Sequence, residues 1–134
     1  MFTFILSLFS IRWKQKRHID HKLRVTQKKI WDIEFLRLNL RQQREGMRME
    51  HDRIKETVDA TNVRMEAEKK KEDSDKTILA NLEALKKRSE PDIKQLQEQM
   101  NGIEQQIEGK GGINETIQGY RSVSQLLREY RKQA

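Results

Sequence analysis

The sequence contains no cysteine, a single proline and few aromatic residues. Without cysteine the chain has no disulfide framework, no thiolate metal site and no cysteine nucleophile. Apolar residues are also scarce, at 34% of the 134 residues, whereas charged residues make up 37%. Globular domains usually show the reverse balance, at about 45–50% apolar and about 25% charged. A core large enough to enclose a catalytic pocket is therefore not expected, and we predict neither enzymatic activity nor a cofactor.

The formal net charge of +7 is unevenly distributed along the chain. Residues 12–55 hold 14 Lys and Arg against 6 Asp and Glu, whereas residues 56–110 hold 10 against 13. The basic surplus therefore lies towards the N-terminus. Such a surplus favours an anionic partner, which is a nucleic acid, a lipid headgroup layer or an acidic protein face.

The N-terminal segment, residues 1–17, is an apolar run followed by cations. It is too short for a transmembrane helix, which needs about 20 apolar residues. One interpretation places the segment in a membrane interface, with Trp13 at headgroup level. A mitochondrial-type targeting stretch and a tail buried against a partner protein are the alternatives. The candidate membrane contacts are Phe2, Phe4, Ile5, Leu6, Leu8, Phe9 and Trp13.

A heptad repeat dominates the chain from Leu23 to Ile107, within a predicted coiled-coil helix over residues 18–108. With Leu23 at position a, 15 of the 25 a and d positions are apolar in one uninterrupted register. A repeat of this kind predicts a left-handed supercoil, whose partner helix comes from the same chain, a second copy or another protein. The predicted interface residues are Leu23, Ile30, Ile33, Leu40, Met47, Ile54, Val58, Met65, Leu79, Leu82, Ile93, Leu96, Met100, Ile103 and Ile107.

Three places could interrupt this helix. We call the stripe formed by the a and d positions the seam. Residues 66–77 place only charged or polar groups in the seam, which permits a bend or a hairpin. Residues 89–91 begin with a capping serine and end with the only proline, a pattern typical of a helix start. Residues 109–112 contain three glycines and predict a hinge. Beyond the hinge, apolar residues recur at three- and four-residue steps over residues 113–134, out of phase with the seam, and predict a separate amphipathic helix.

Four arginines lie on one face of the predicted helix and are candidate anion contacts: Arg37, Arg41, Arg44 and Arg48. Their spacing of four, three and four residues suits sequence-independent binding to phosphates. Bulky apolar residues interrupt the basic region, however, so an acidic partner protein is the better match than a nucleic acid. His18, Asp20 and His21 form an incomplete ligand set for a metal, and we predict no metal site.

Taken together, the sequence predicts an elongated all-α protein. A long coiled-coil helix, kinked or folded into a hairpin, is followed by a glycine hinge and a shorter C-terminal helix. We expect a non-enzymatic structural or adaptor subunit that binds a helical protein, either a second copy or a different chain. The alternatives are a membrane-surface tether anchored by residues 1–17 and a non-specific nucleic-acid-binding accessory. The expected location is intracellular, in the cytoplasm or at the periphery of a membrane.

Overall fold

The computed structural model of the chain consists of three α-helices. It describes the backbone of residues 2–133 and the side chains of residues 12–133. Helix α1 spans Phe2–Lys69, α2 spans Lys76–Glu108 and α3 spans Ile113–Gln133, and residues 2–133 contain no strand. The predicted all-α fold, with a long helix, a glycine turn and a shorter C-terminal helix, is confirmed.

The length of α1 follows from what interrupts helices and what does not. Its 68 residues contain no proline and only one glycine, Gly46. Glycine and proline are the residues that weaken a helix interior most, at about 1 and about 3 kcal/mol relative to alanine. The polar positions of α1 are filled largely by Arg, Lys, Gln and Glu, which are good helix formers. Nothing in the local sequence therefore ends α1 before Lys69.

The chain divides into two compact units. The first unit comprises Met1–Asn39 and Gln106–Ala134, and the second comprises Leu40–Gln105. In the second unit, the C-terminal part of α1 and most of α2 form an antiparallel hairpin around the turn at residues 70–75. Farther from this turn, Arg44 Nη1 lies 3.6 Å from Glu104 Oε1 across the two helices.

In the first unit, α3 lies antiparallel to the N-terminal part of α1. Three side-chain pairs connect the two helices in reverse order along α3: Arg37 with Asn114, Glu34 with Arg121, and Asp20 with Arg131. These contacts extend over most of α3. The two helices therefore pack side by side along most of the length of α3.

The heptad seam is covered within the single chain. Each of its fifteen apolar residues is buried or half-buried, from Leu23 to Ile107. Two threonines at d positions, Thr26 and Thr61, are also buried. Their hydroxyls donate to the carbonyl oxygens four residues earlier, at 2.8 and 2.7 Å, which satisfies them away from water. Helices of the same chain therefore cover the seam, with six of its apolar residues buried and nine half-buried.

The turn between α1 and α2 is organised by two carboxylates. Asp75 precedes α2 and its Oδ1 accepts a hydrogen bond from the Thr77 backbone N–H at 2.8 Å, the bond of an N-cap residue. Glu68 is buried at the end of α1, and its Oε1 accepts from the Asp75 backbone N–H at 3.0 Å. Lys71 Nζ lies 3.2 Å from the other Glu68 oxygen. The charged residues that weaken the seam here therefore form the turn itself.

These contacts lower the pKa of Glu68 from its ordinary value of 4.5, chiefly through the hydrogen bond from the Asp75 backbone and secondly through that from Lys71. A lowered pKa in the folded state means that the ionised carboxylate stabilises the fold. The contribution of Glu68 to the free energy of unfolding is fully present above pH 4.5 and is lost as the pH falls through the lowered pKa. The turn is therefore expected to weaken on the acid side.

Replacement of Asp75 by Ala is expected to lower the free energy of unfolding by about 1 kcal/mol, because the first turn of α2 loses its cap. Asp75→Asn is the matched control, since an amide oxygen also accepts from the Thr77 N–H and should retain most of the stability. Urea titration followed by circular dichroism measures both variants. Equal losses for Ala and Asn would contradict the capping role.

Helix α2 runs through Pro91 without a boundary. The Ser89 hydroxyl donates to the Leu85 carbonyl oxygen at 2.9 Å, so it does not cap a new helix. Proline cannot donate a backbone hydrogen bond, which removes one bond inside α2. Residues 89–91 are therefore an internal part of α2 and not its start.

The glycine turn between α2 and α3 needs its glycines at two positions. Gly111 has a φ of +73°, a left-handed conformation that side chains with a Cβ rarely adopt. A Cβ on Gly112 would lie 2.8 Å from the carbonyl oxygens of Gln106 and Gly109. The Gly112 N–H donates to Gly109 O at 2.9 Å, and Glu115 accepts from the Gly111 N–H at 2.8 Å. These bonds end α2 and start α3 within four residues.

Candidate functional site

The basic surplus of the protein belongs entirely to the first unit. Its residues include fourteen Lys and Arg against six Asp and Glu, a net charge of +8. The second unit has fourteen against fifteen, a net charge of −1. The first unit therefore attracts anions electrostatically, whereas the second unit, which is close to neutral, does not.

An exposed apolar row lies on α1 in this unit. It comprises Trp31, Phe35 and Leu38, whose side chains are 65%, 65% and 50% exposed. Their spacing of four and three residues places them on one face of the helix. Ile30 and Ile33, which belong to the seam, are buried and half-buried. The apolar row is therefore a second stripe that the first unit leaves uncovered.

Closer to the N-terminus than the apolar row, α1 carries a shallow cleft of about 420 Å³, which we call the basic strip. Its lining residues are Trp13, Lys14, Arg17, His18, His21 and Arg24. These residues recur at intervals of about one helical turn, so they share a face. The Arg17 guanidinium lies 5.4 Å from the centre of the Trp13 ring, within the range of a cation–π contact. The lining contains three permanent cations and no carboxylate.

Asp20 is the acidic residue closest in sequence to the basic strip, and α3 neutralises it. Arg131 Nε donates to Asp20 Oδ1 at 2.5 Å, and Arg131 Nη2 lies 3.5 Å from Oδ2. None of the ion pairs among residues 12–133 uses Lys14, Arg17 or Arg24. The cations of the strip are therefore available to an external anion.

The geometry does not support a metal ion bound by His18, Asp20 and His21, because the Asp20 carboxylate is paired with Arg131. Within the described residues, no group of three or more His, Asp and Glu side chains is close enough to hold a metal ion. The two histidines instead line the basic strip. His18 and His21 therefore lie beside the cations of the basic strip and not beside carboxylates.

The four arginines predicted as anion contacts are mostly engaged. In the first unit, Arg37 Nη1 donates to Asn114 Oδ1 at 3.0 Å. In the second unit, Arg44 pairs with Glu104 and Arg48 pairs with Glu45. Arg41 is exposed and forms no ion pair with the described side chains. Three of the four guanidiniums are thus already bound to groups of the chain itself.

A cation–π contact also connects α3 to α1. The Lys29 ammonium lies 5.7 Å from the centre of the Tyr120 ring.

Near the end of α3, an open and largely apolar groove of about 490 Å³ separates the two helices, and Tyr130, Leu127, Ile19 and Lys22 are among its lining residues. His18 lines both this groove and the basic strip. The two surfaces are therefore adjacent.

Of the predicted membrane contacts, only Trp13 has a described side chain, and it is 56% exposed. Phe2, Phe4, Ile5, Leu6, Leu8 and Phe9 belong to α1, but their side chains lie outside the described residues. No helix in the described part of the chain combines the length and the apolar character needed to cross a bilayer.

The chain matches no protein-family model, no curated protein and no solved structure.

The basic strip was only partly visible in the sequence. Lys14 and Arg17 stand out as cations after an apolar run, whereas His18 and His21 invite a metal interpretation. The available signal was the spacing of Lys14, Arg17, His21 and Arg24 by three, four and three residues. The pairing of Asp20 with Arg131 joins residues 111 positions apart, which no local pattern indicates.

Proposed function

We propose that this chain is a non-enzymatic helical adaptor that associates with a helical protein through the exposed apolar row of its first unit. The observation that carries the proposal is that the seam is covered within the chain while Trp31, Phe35 and Leu38 stay exposed. An adaptor whose seam packs against helices of its own chain needs a second surface for its partner, and this row supplies one.

The chemistry of the row suits a helical partner. Aromatic residues are over-represented among the residues that dominate binding free energy at interfaces. Anchors four and seven residues apart along a helix are typical of helix-to-helix recognition. Trp31, Phe35 and Leu38 have this spacing. We therefore expect the partner to present a helix or a groove between helices, in a second copy or in a different protein.

A nucleic-acid function has weaker support. Arg37, Arg44 and Arg48 each contact a group of the chain, so part of their charge and hydrogen-bonding capacity is already used. The apolar row offers nothing to a phosphate backbone, which is bound mainly by cations. The adaptor function uses both the closed seam and the open row.

The double variant Trp31→Ala with Phe35→Ala is expected to abolish partner capture and leave the fold intact, because both side chains are mostly exposed. Loss of two aromatic anchors typically costs at least about 2 kcal/mol each, a drop in affinity of roughly 1,000-fold. Sedimentation velocity measures self-association, and pull-down from the native source with mass spectrometry measures capture of other proteins.

The control is Met49→Ala with Val63→Ala, which removes two equally exposed apolar side chains from α1 in the second unit. This variant should retain every partner of the unmodified chain. If both double variants retained association equally, the apolar row would not be the binding surface.

A further inference from the structure

We infer that the basic strip of the first unit docks on an anionic lipid surface, with the cations on phosphate and carboxylate headgroups and Trp13 at the boundary with the acyl chains. This inference concerns a different surface from the adaptor proposal and does not depend on it. The first observation is charge complementarity, since the strip belongs to the unit that holds a net charge of +8.

The strip has the composition that a headgroup layer recognises. Lys14, Arg17 and Arg24 are cations without an ion-pair partner among the described side chains, and no carboxylate lines the cleft. His18 and His21 add polar ring nitrogens on the same face. Because these residues share one face of the helix, they can meet a planar headgroup layer together.

Trp13 distinguishes a lipid surface from a nucleic acid. Its indole is 56% exposed and lies against the Arg17 guanidinium, so an apolar ring and a cation share one end of the strip. Tryptophan is enriched at membrane interfaces, where its ring lies at headgroup level. A phosphate backbone offers no comparable apolar layer beside its charges.

The residues that precede the strip extend the same argument. Helix α1 continues without a break from Phe2, and residues 2–11 contain no charged group. An uncharged, mostly apolar helical segment followed immediately by cations is the order that an interface requires, apolar towards the acyl chains and basic at the headgroups. Trp13 lies between the two parts.

The ion pair of Asp20 with Arg131 removes a repulsive charge from this end of α1. Without it, a free carboxylate would lie on the helix between His18 and Arg24 and oppose anionic headgroups. With it, the carboxylate nearest in sequence to the basic strip is neutralised, and no carboxylate lines the strip itself. Packing of α3 therefore contributes to the basic character of the strip.

The test is flotation of the full chain with vesicles of phosphatidylcholine and phosphatidylserine in equal parts. The triple variant Lys14→Glu, Arg17→Glu and Arg24→Glu is expected to bind weaker by a factor of roughly 100 or more, because each cation lost near an anionic leaflet costs about fivefold in affinity and each glutamate adds a repulsive charge. The matched control reverses three exposed cations of the second unit, Lys87→Glu, Arg88→Glu and Lys94→Glu, with the same change in net charge. It should bind within about tenfold of the unmodified chain, since none of these three residues lines the basic strip.

Equal loss in both triple variants would overturn the inference, since binding would then follow net charge alone. Binding to duplex DNA in place of the vesicles, or flotation as strong with pure phosphatidylcholine, would also overturn it. Circular dichroism establishes that each variant is folded. If the glutamate variant does not fold, the glutamine variants at the same three positions and the salt dependence of the unmodified chain decide the question, and flotation that is insensitive to salt overturns the inference.

Fluorescence gives an independent measurement at Trp13. In a Trp31→Phe variant, Trp13 is the only tryptophan of the chain. Its emission should shift to shorter wavelength when the mixed vesicles are added, because the ring leaves water for the interface. Flotation without any shift would show that Trp13 stays in water and would contradict the proposed orientation.

Discussion

Truncation of Ile107 or of Ile117 to Ala is expected to lower the free energy of unfolding by about 2–5 kcal/mol, the range for deletion of a buried isoleucine side chain. The two side chains are 0% and 1% exposed, the lowest values among the described apolar residues. Both lie in the first unit, Ile107 at the end of α2 and Ile117 in α3. Such a loss is a large fraction of the roughly 5–15 kcal/mol that stabilises a typical domain.

Thermal and urea unfolding by circular dichroism measure this effect. Val63→Ala is the control, because Val63 is 69% exposed and its truncation should change the unfolding free energy by less than about 0.5 kcal/mol. If Ile107→Ala and Ile117→Ala cost no more than Val63→Ala, the core of the first unit is not where the structure places it.

Two glycine-to-alanine replacements are expected to change stability in opposite directions. Gly112→Ala should destabilise the protein by about 1–3 kcal/mol, since a Cβ there would lie 2.8 Å from two carbonyl oxygens and 3.1 Å from that of Ile107. Gly102→Ala should stabilise it by up to about 1 kcal/mol, because the position is inside α2 and a Cβ would meet nothing within 4 Å.

The comparison separates the turn from general helix propensity. If propensity alone mattered, both replacements would stabilise, because alanine is the better helix former at either position. If the turn at residues 109–112 is required, only Gly102→Ala stabilises the protein. Stabilisation by Gly112→Ala would show that α2 and α3 join without the turn. Equilibrium unfolding in urea gives the sign for each variant.

The sequence predicted the fold well where the pattern was long and regular. The heptad register from Leu23 to Ile107 matches the buried and half-buried positions because a seven-residue stripe can face only one side of a helix. The glycines at 109–112 indicated the last turn for an equally local reason, since Gly111 needs a positive φ.

Features that depend on distant residues were not predictable in this way. The sequence left open whether the helix that packs on the seam belongs to the same chain, because a heptad repeat shows that a partner helix is needed but not which helix it is. At residues 89–91 the pattern of a capping serine and a proline indicated a helix start, yet α2 continues through Pro91. The contacts of Arg37 with Asn114 and of Arg44 with Glu104 join α1 to residues at least 60 positions away, so the four arginines looked freer than they are.

The central claim is that this chain covers its own seam by antiparallel packing. Because the chain has no cysteine, single cysteines can be introduced without background reaction. The pair Arg44→Cys with Glu104→Cys lies where the two helices meet in the second unit, at the 3.6 Å ion pair. The control pair, Arg44→Cys with Lys76→Cys, joins the same position to the start of α2 beside the turn. About 24 residues of helix, or roughly 36 Å, separate Arg44 from the turn end of α1.

The decisive measurement is reaction of both variants with a short bismaleimide at low protein concentration, followed by mass spectrometry. We expect an intrachain cross-link within a single monomer for the Arg44 and Glu104 pair, and little or none for the control pair. Cross-linked dimers for the first pair, or equal intrachain reaction of both pairs, would contradict the hairpin and assign the seam to a partner chain.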